Sequence, residues 1–137
     1  MQRHYFESYR DGLRRDGVST DPAELDRLAS RYVSTPALAP HTAGAAIDLT
    51  LCTPDGLELD MGTPINASQE ESDGSCYTAA TTISAEAAAN RAVLGAAMTM
   101  AGFINYPTEW WHWSYGDRYW ALSTGAPAAV YGPATRP

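Results

Sequence analysis

His41-Thr-Ala-Gly-Ala-Ala-Ile-Asp48 runs straight into Leu49-Thr-Leu51, and Glu109-Trp-Trp-His112 follows later in the chain. Two histidines and one carboxylate suit a catalytic Zn²⁺, because three protein ligands leave one coordination position open for water. A second carboxylate, three residues before the last ligand, suits a general base that activates this water. Two of the three histidines in the chain lie in these stretches. The pattern therefore predicts metal-assisted hydrolysis, with an amide as the bond that is cut.

Length and composition predict one folded domain. The chain has 137 residues, of which 45% are hydrophobic and 18% charged, and this balance is typical of a globular protein with a single core. We expect this domain to cover residues 1–125. The Pro- and Ala-rich residues 126–137 are expected to form an extended tail.

Charge and hydropathy exclude several classes of partner. The formal net charge is −7, and no cluster of basic residues is dense enough to follow a phosphate backbone, which argues against nucleic acid. No apolar run is long enough to span a bilayer. The polar first residues contain no signal core, which predicts a cytoplasmic protein, and Cys52 and Cys76 are accordingly expected to be reduced thiols.

Three helices are predicted from apolar spacing and caps. Apolar residues recur at helical spacing over 2–15. Asp21 and Pro22 form an N-cap and a first helical position, which predicts a helix to about Val33. Ser84 caps an Ala-rich helix that runs to about Met100.

The strand pattern predicts an α+β fold in which a small antiparallel sheet carries the zinc site and helices flank it. Alternating residues predict a hairpin over 46–61, and residues 108–115 are aromatic and strand-like. The remaining expectations are an extended loop over 34–43, a long loop over 62–80, a short strand over 103–106, and strand pairing by Tyr119-Trp120-Ala121.

Each candidate residue also has a simpler interpretation. Asp48 would be costly on a buried strand without a partner, but it could instead face solvent. Glu109 and His112 would point to opposite faces of a regular strand, so a bulge or the strand end must turn His112 inward; otherwise it is a core histidine. For the neighbouring tryptophans we favour core packing over substrate stacking. We expect Arg91 to be a surface or ion-pairing residue and Asp60 a solvated loop charge.

Both motifs together resemble the VanX-type D-alanyl-D-alanine dipeptidases. The resemblance lies in His-x-x-Gly-x-Ala-Ile-Asp-Leu-Thr-Leu and Glu-Trp-Trp-His, and it extends to Asp60-Met-Gly-Thr-Pro64 and Tyr106-Pro-Thr-Glu109. It covers roughly residues 2–121. It implies a zinc enzyme of α+β fold with His41, Asp48 and His112 as ligands. Glu109 would deprotonate the water on the zinc and later protonate the leaving amine, and the substrate would be D-Ala-D-Ala, a dipeptide of peptidoglycan.

The chain departs from the family pattern at the substrate contacts. Ala39 stands where family members usually have a substrate-contacting serine, and Asn66 stands where the family has an aspartate that holds the substrate ammonium. The family's upstream Tyr-Arg-Pro, whose arginine stabilises the oxyanion, has no counterpart before His41. Three hypotheses follow: a dipeptidase, a repurposed zinc enzyme that acts on another small molecule, and a non-catalytic zinc-binding homologue.

Overall fold

A computed structural model describes residues 2–30 and 40–134. The chain divides into two compact units, Met1–Gly44 with Gly132–Pro137 and Ala45–Tyr131. The predicted division into a domain over 1–125 and a tail over 126–137 stays a prediction. Within the described residues, no helix has the length and apolar character needed to cross a membrane.

The first unit contains helix α1, Gln2–Arg15, and helix α2, Pro22–Ala29. α1 has the predicted bounds. α2 begins as predicted, because the Asp21 side chain accepts a hydrogen bond from the Ala23 amide and proline occupies the first helical position. Among the described residues of this unit, Phe6, Leu25 and Ala29 are buried.

The predicted end of α2 at Val33 is wrong, since the helix ends at Ala29. The Ser30 hydroxyl donates to the Arg27 carbonyl oxygen at 2.8 Å, and the Ser30 amide donates to Asp26 at 3.0 Å. Serine often ends a helix in this way, because its hydroxyl offers the backbone a partner that competes with the next helical bond.

The predicted extended loop over 34–43 is only partly described. Residues 31–39 lie outside the described residues. Pro40–Ala43 form a 3₁₀-helix instead of extended chain, so the prediction is wrong there. The amide of Gly44 donates to the His41 carbonyl oxygen at 3.1 Å, and a local turn of this kind replaces the extended conformation.

The second unit contains a three-stranded antiparallel sheet with the order β1-β3-β2. The strands are β1, Ala46–Asp48, β2, Ile104–Tyr106, and β3, Glu109–Ser114. Together with the helices they confirm the α+β class and the small antiparallel sheet. The central strand β3 is buried at every residue after Glu109, and the core around it contains Met61, Cys76, Leu94, Met98, Trp110, Trp111 and Trp113.

The predicted hairpin over 46–61 is reduced to a short ribbon. β1 ends at Asp48, and the ribbon beyond it contains a single bridge between Cys52 and Glu58. The Leu49 amide donates to Trp111 on β3 at 3.1 Å, so this arm follows the sheet before it turns. An exposed two-stranded ribbon gains little from packing, which explains why regular strands do not extend along it.

Helix α3, Ala85–Met100, has the predicted bounds and the predicted Ser84 cap. The Ser84 hydroxyl oxygen accepts from the Ala87 amide and donates to the Asp60 carboxylate, both at 3.0 Å. Asp60 also accepts from the Gly62 amide at 2.8 Å. Asp60 is exposed on a loop, as expected, and its carboxylate also ties the ribbon to the start of α3.

The predicted strand over Tyr119-Trp120-Ala121 is wrong, since these residues belong to helix α4, Arg118–Thr124. Asp117 caps this helix by accepting from the Trp120 amide at 2.7 Å. Gly125 ends it with a φ of 72°. The helix caps on either side override the strand preference of the aromatic residues.

Gly62→Ala is expected to lower the free energy of unfolding by about 2 kcal/mol more than Gly56→Ala. Both glycines have positive φ, 85° and 84°. A Cβ at Gly62 would lie 2.6 Å from Ile83 Cγ2, whereas nothing lies within 4 Å of one at Gly56. Urea denaturation of the two variants measures the difference. Equal midpoints would show that the Ile83 side chain moves away at little cost.

Candidate metal centre

Antiparallel pairing of β1 with β3 places Asp48 directly opposite His112. Side chains directly opposite each other on neighbouring strands lie on one face and touch. His112 Nδ1 lies 2.9 Å from Asp48 Oδ1. The register of the sheet therefore brings together two of the predicted ligands, although 64 residues separate them in sequence.

His41 offers a third ligand atom. It lies on the 3₁₀-helix Pro40–Ala43, shortly before β1. One ligand atom from each of His41, Asp48 and His112 forms a group in which all atoms lie within 4.8 Å of one another. Two imidazoles and one carboxylate are a donor set that binds Zn²⁺ in catalytic sites and leaves room for water. The three residues therefore fit a metal ion.

An irregularity in the pairing of β2 with β3 brings Glu109 to the same place. The register shifts between Asn105 and Tyr106, so that Asn105 pairs with Trp113 while Tyr106 pairs with Glu109. Glu109 Oε2 lies 3.7 Å from His112 Nδ1. The sequence predicts that a bulge or the strand end turns His112 inward, and the register shift shows a bulge in the pairing of β2 with β3.

Exposure differs sharply among the residues of the site. The His112 side chain is 8% exposed, whereas that of Asp48 is 28% and that of Glu109 is 40% exposed. The imidazole is thus held from the core side, while the two carboxylates border solvent. Of these three described side chains, Glu109 is the most exposed.

The tryptophans of β3 belong to the core that packs against the strand bearing Glu109 and His112. Trp110 and Trp111 are each 2% exposed, and Trp113 is 3% exposed, which confirms core packing over substrate stacking. The Trp113 indole donates to the Trp110 carbonyl oxygen at 3.2 Å. Close packing of these indoles limits how far the strand that bears Glu109 and His112 can shift.

Of the two predicted substrate contacts, Ala39 lies outside the described residues. Asn66 lies on the long loop after the ribbon, is exposed and has a φ of 65°. Asparagine adopts this left-handed conformation more readily than most residues. Its role toward substrate stays a prediction.

The expectation that Arg91 is a surface or ion-pairing residue is wrong. Arg91 is buried, and its guanidinium donates to the carbonyl oxygens of Met61, Tyr77 and Ser75 at 2.8, 2.8 and 2.9 Å. Its Cζ lies 5.4 Å from the centre of the Trp110 ring. Burial lowers the pKa of Arg91, but its guanidinium remains charged near neutral pH. These three bonds direct the Arg91 guanidinium toward backbone carbonyl groups of the ribbon and the long loop.

Sequence reasoning also missed Asn105, whose side-chain amide donates to the carbonyl oxygens of Glu109 and His112. Both acceptors are backbone groups, which every residue has. No residue pattern therefore pointed to Asn105, apart from its position shortly before Glu109.

Asp48, His112 and Glu109 on a small antiparallel sheet, with His41 on the 3₁₀-helix before it, form the kind of site that mononuclear metallohydrolases use. The family model for D-ala-D-ala dipeptidases matches residues 7–125. The chain belongs to this metallopeptidase family.

Several relatives are similar to parts of the chain. It is 36% identical to a D-alanyl-D-alanine dipeptidase of Synechocystis sp. over 89 residues, which are 60% of this chain and 36% of the relative. For the enzyme of that name from Escherichia coli the identity is 39% over 72 residues, 53% of this chain and 35% of the relative. For the D-alanyl-D-alanine dipeptidase of Enterococcus faecium the identity is 37% over 93 residues, which are 67% of this chain and 43% of the relative. The matched stretches span less than half the length of these relatives.

Proposed function

We propose that this chain is a zinc-dependent hydrolase that cleaves the amide bond of D-Ala-D-Ala. His41, Asp48 and His112 are the proposed zinc ligands, and Glu109 is the proposed catalytic base. One observation carries the proposal: the Glu109 carboxylate lies 3.7 Å from His112 Nδ1, beside a group of three metal-ligating side chains. A purely structural metal site has no need of this fourth side chain.

The donor set favours zinc. Imidazole nitrogen and carboxylate oxygen are both ordinary zinc ligands, and three protein ligands leave the ion an open position. When bound, the ion lowers the pKa of water and polarises the carbonyl of the bond that is cut.

The residues of the chain have separate tasks in this mechanism. Asp48 contributes negative charge to the ligand set, and the β1–β3 ladder holds it against His112. Glu109 accepts a proton from the attacking water and then gives it to the leaving amine. Because the strands fix both carboxylates before substrate arrives, little reorganisation is needed at the moment of reaction.

The substrate follows from the relatives, which bear the name D-alanyl-D-alanine dipeptidase. A free dipeptide has an ammonium group, and a neutral amide at Asn66 attracts it less than a carboxylate would. This substitution favours a second candidate, a zinc hydrolase acting on a small molecule without an ammonium group. The third hypothesis, a non-catalytic zinc-binding homologue, leaves Glu109 unexplained. The cytoplasmic location stays a prediction.

The proposal is tested by D-alanine release from D-Ala-D-Ala by zinc-loaded protein. Glu109→Gln is expected to lower the turnover rate by about 10²–10⁴-fold, since it removes the proton acceptor, and to leave about one zinc bound. Glu86→Gln, on the exposed first turn of α3, is the matched control and should retain full turnover.

Other outcomes separate the alternatives. A folded protein that holds one zinc but releases no D-alanine would overturn the dipeptidase assignment and favour another substrate. If removal of zinc unfolds the chain and Glu109→Gln matches the wild type in every assay, the metal is structural and the hydrolase proposal is wrong.

A further inference from the structure

The bulge that aligns Glu109 with His112 leaves part of β3 without ladder pairing on one side. In the described sheet, the ladder between β2 and β3 passes from the Trp113 pair directly to the Glu109 pair. It thus skips the residues Trp110–His112 on β3. Carbonyl groups in this stretch need partners of another kind, because buried backbone acceptors are almost always hydrogen-bonded.

The Asn105 side chain supplies these partners at both ends of the bulge. Its Nδ2 donates to the Glu109 carbonyl oxygen and to the His112 carbonyl oxygen, each at 3.1 Å. Carbonyl oxygens only accept, so the amide nitrogen must face them. One planar carboxamide thus spans the two residues whose side chains meet at the metal centre.

The Asn105 carboxamide is itself held in place. Its Oδ1 accepts from the Thr78 hydroxyl at 2.5 Å, which uses the remaining face of the amide. The Tyr119 hydroxyl donates to the Asn105 backbone oxygen at 3.2 Å. Contacts to the long loop and to α4 therefore hold Asn105 from two directions.

We infer that Asn105 is a positioning residue that fixes the distance between the base Glu109 and the ligand His112. This inference rests on the proposed function, because that function assigns Glu109 as base and His112 as ligand. Asn105 itself is given no contact with substrate or metal. Asn105 acts through the backbone of β3. Removal of the carboxamide leaves both carbonyl groups to find new partners, and the bulge then relaxes toward a different spacing of the two side chains.

The expected effects follow from the behaviour of residues that orient metal ligands. Their replacement typically costs about 10–100-fold in metal affinity or activity. We expect Asn105→Ala to weaken zinc binding, measured by competition with a chelator, and to lower D-alanine release, each within this range. Thr78→Val removes only the bond that orients the amide and should show a smaller change in the same direction.

A matched control is available in the same unit of the chain. The Asn90 Nδ2 donates to the Asp60 carbonyl oxygen at 2.9 Å, so Asn90→Ala removes the same kind of bond on α3. It should leave zinc affinity and turnover unchanged. A merely structural contribution by Asn105 would instead make the two alanine variants differ from wild type only in their unfolding midpoints.

A third measurement needs neither metal nor substrate. The Trp113 indole N–H donates to the Trp110 carbonyl oxygen inside the bulge, and its hydrogen exchange is visible by NMR in metal-free protein. We expect faster exchange of this proton in Asn105→Ala than in wild type or Asn90→Ala, because the bulge opens more often.

The outcomes separate this inference from the proposed function. If wild-type protein binds zinc and releases D-alanine while Asn105→Ala matches Asn90→Ala in all three measurements, the inference is overturned and the proposed function stands. If wild-type protein releases no D-alanine, the proposed function fails on its own. Faster indole exchange with weaker zinc binding in Asn105→Ala would then still support the positioning role.

Discussion

Replacement of Arg91 by methionine is expected to lower the free energy of unfolding by about 3–5 kcal/mol. Methionine keeps an apolar chain against Trp110 but donates no hydrogen bond. Three backbone carbonyl oxygens, now satisfied by one guanidinium, would then lose their partner. Since a native domain is stable by only about 5–15 kcal/mol, such a loss leaves little margin. Urea denaturation of metal-free protein, followed by tryptophan fluorescence, measures it.

Two further variants make this prediction specific. Arg27 is exposed and pairs with Glu24 on its own helix, so Arg27→Met should leave the midpoint nearly unchanged. Arg91→Lys keeps the charge, but a single ammonium cannot reproduce the planar fork that reaches three acceptors; we expect it to recover only a minor part of the loss. An Arg91→Met protein as stable as Arg27→Met would show that water replaces the guanidinium without cost.

The role of Arg91 also shows where sequence reasoning reaches its limit. Its position in an Ala-rich helix suggested a surface charge, since buried arginines are rare. Its acceptors are carbonyl oxygens of residues 14 to 30 positions away, and every residue has such an oxygen. The path of the loop around α3 decides which carbonyl oxygens Arg91 bonds to, and no local sequence pattern describes this path.

Local rules worked best where a side chain bonds to its own segment. The caps Asp21 and Ser84 each accept from an amide two or three residues ahead, and both helix starts were predicted from them. The same rule applied to Asp117 and Gly125 would have found α4. The aromatic residues between them favour a strand, although strand preference is weaker than a complete pair of caps.

The ligand types could be predicted, whereas their geometry could not. Histidine and carboxylate spacing pointed to a metal because few other roles need that set of side chains. The sequence predicts that a bulge or the strand end turns His112 inward, but it does not show what holds the bulge. Asn105 became apparent only when the register of β2 against β3 placed its amide between two carbonyl groups.

The charge of Asp48 provides the second large effect. Asp48→Asn keeps the shape of the side chain and an oxygen that can face His112 Nδ1, which now lies 2.9 Å from Asp48 Oδ1. It removes the negative charge from the ligand set. Replacement of residues outside the ligand set lowers metal affinity by up to about 100-fold. Because Asp48 is a proposed ligand, we expect its replacement to lower zinc affinity by at least this factor. Asp55→Asn, on an exposed turn of the ribbon, is the control.

This loss is visible without any substrate, because a ligand that binds only the folded state stabilises it by mass action. At a free zinc concentration of about 100 times the wild-type Kd, zinc should raise the free energy of unfolding by about 2.7 kcal/mol. A variant that binds 100-fold more weakly gains only about 0.4 kcal/mol under the same conditions. The difference in the free energy of unfolding with and without zinc therefore measures zinc binding directly. If Asp48→Asn and wild type gain equally, zinc binds elsewhere in the chain, and the assignment of Asp48 as a ligand is wrong.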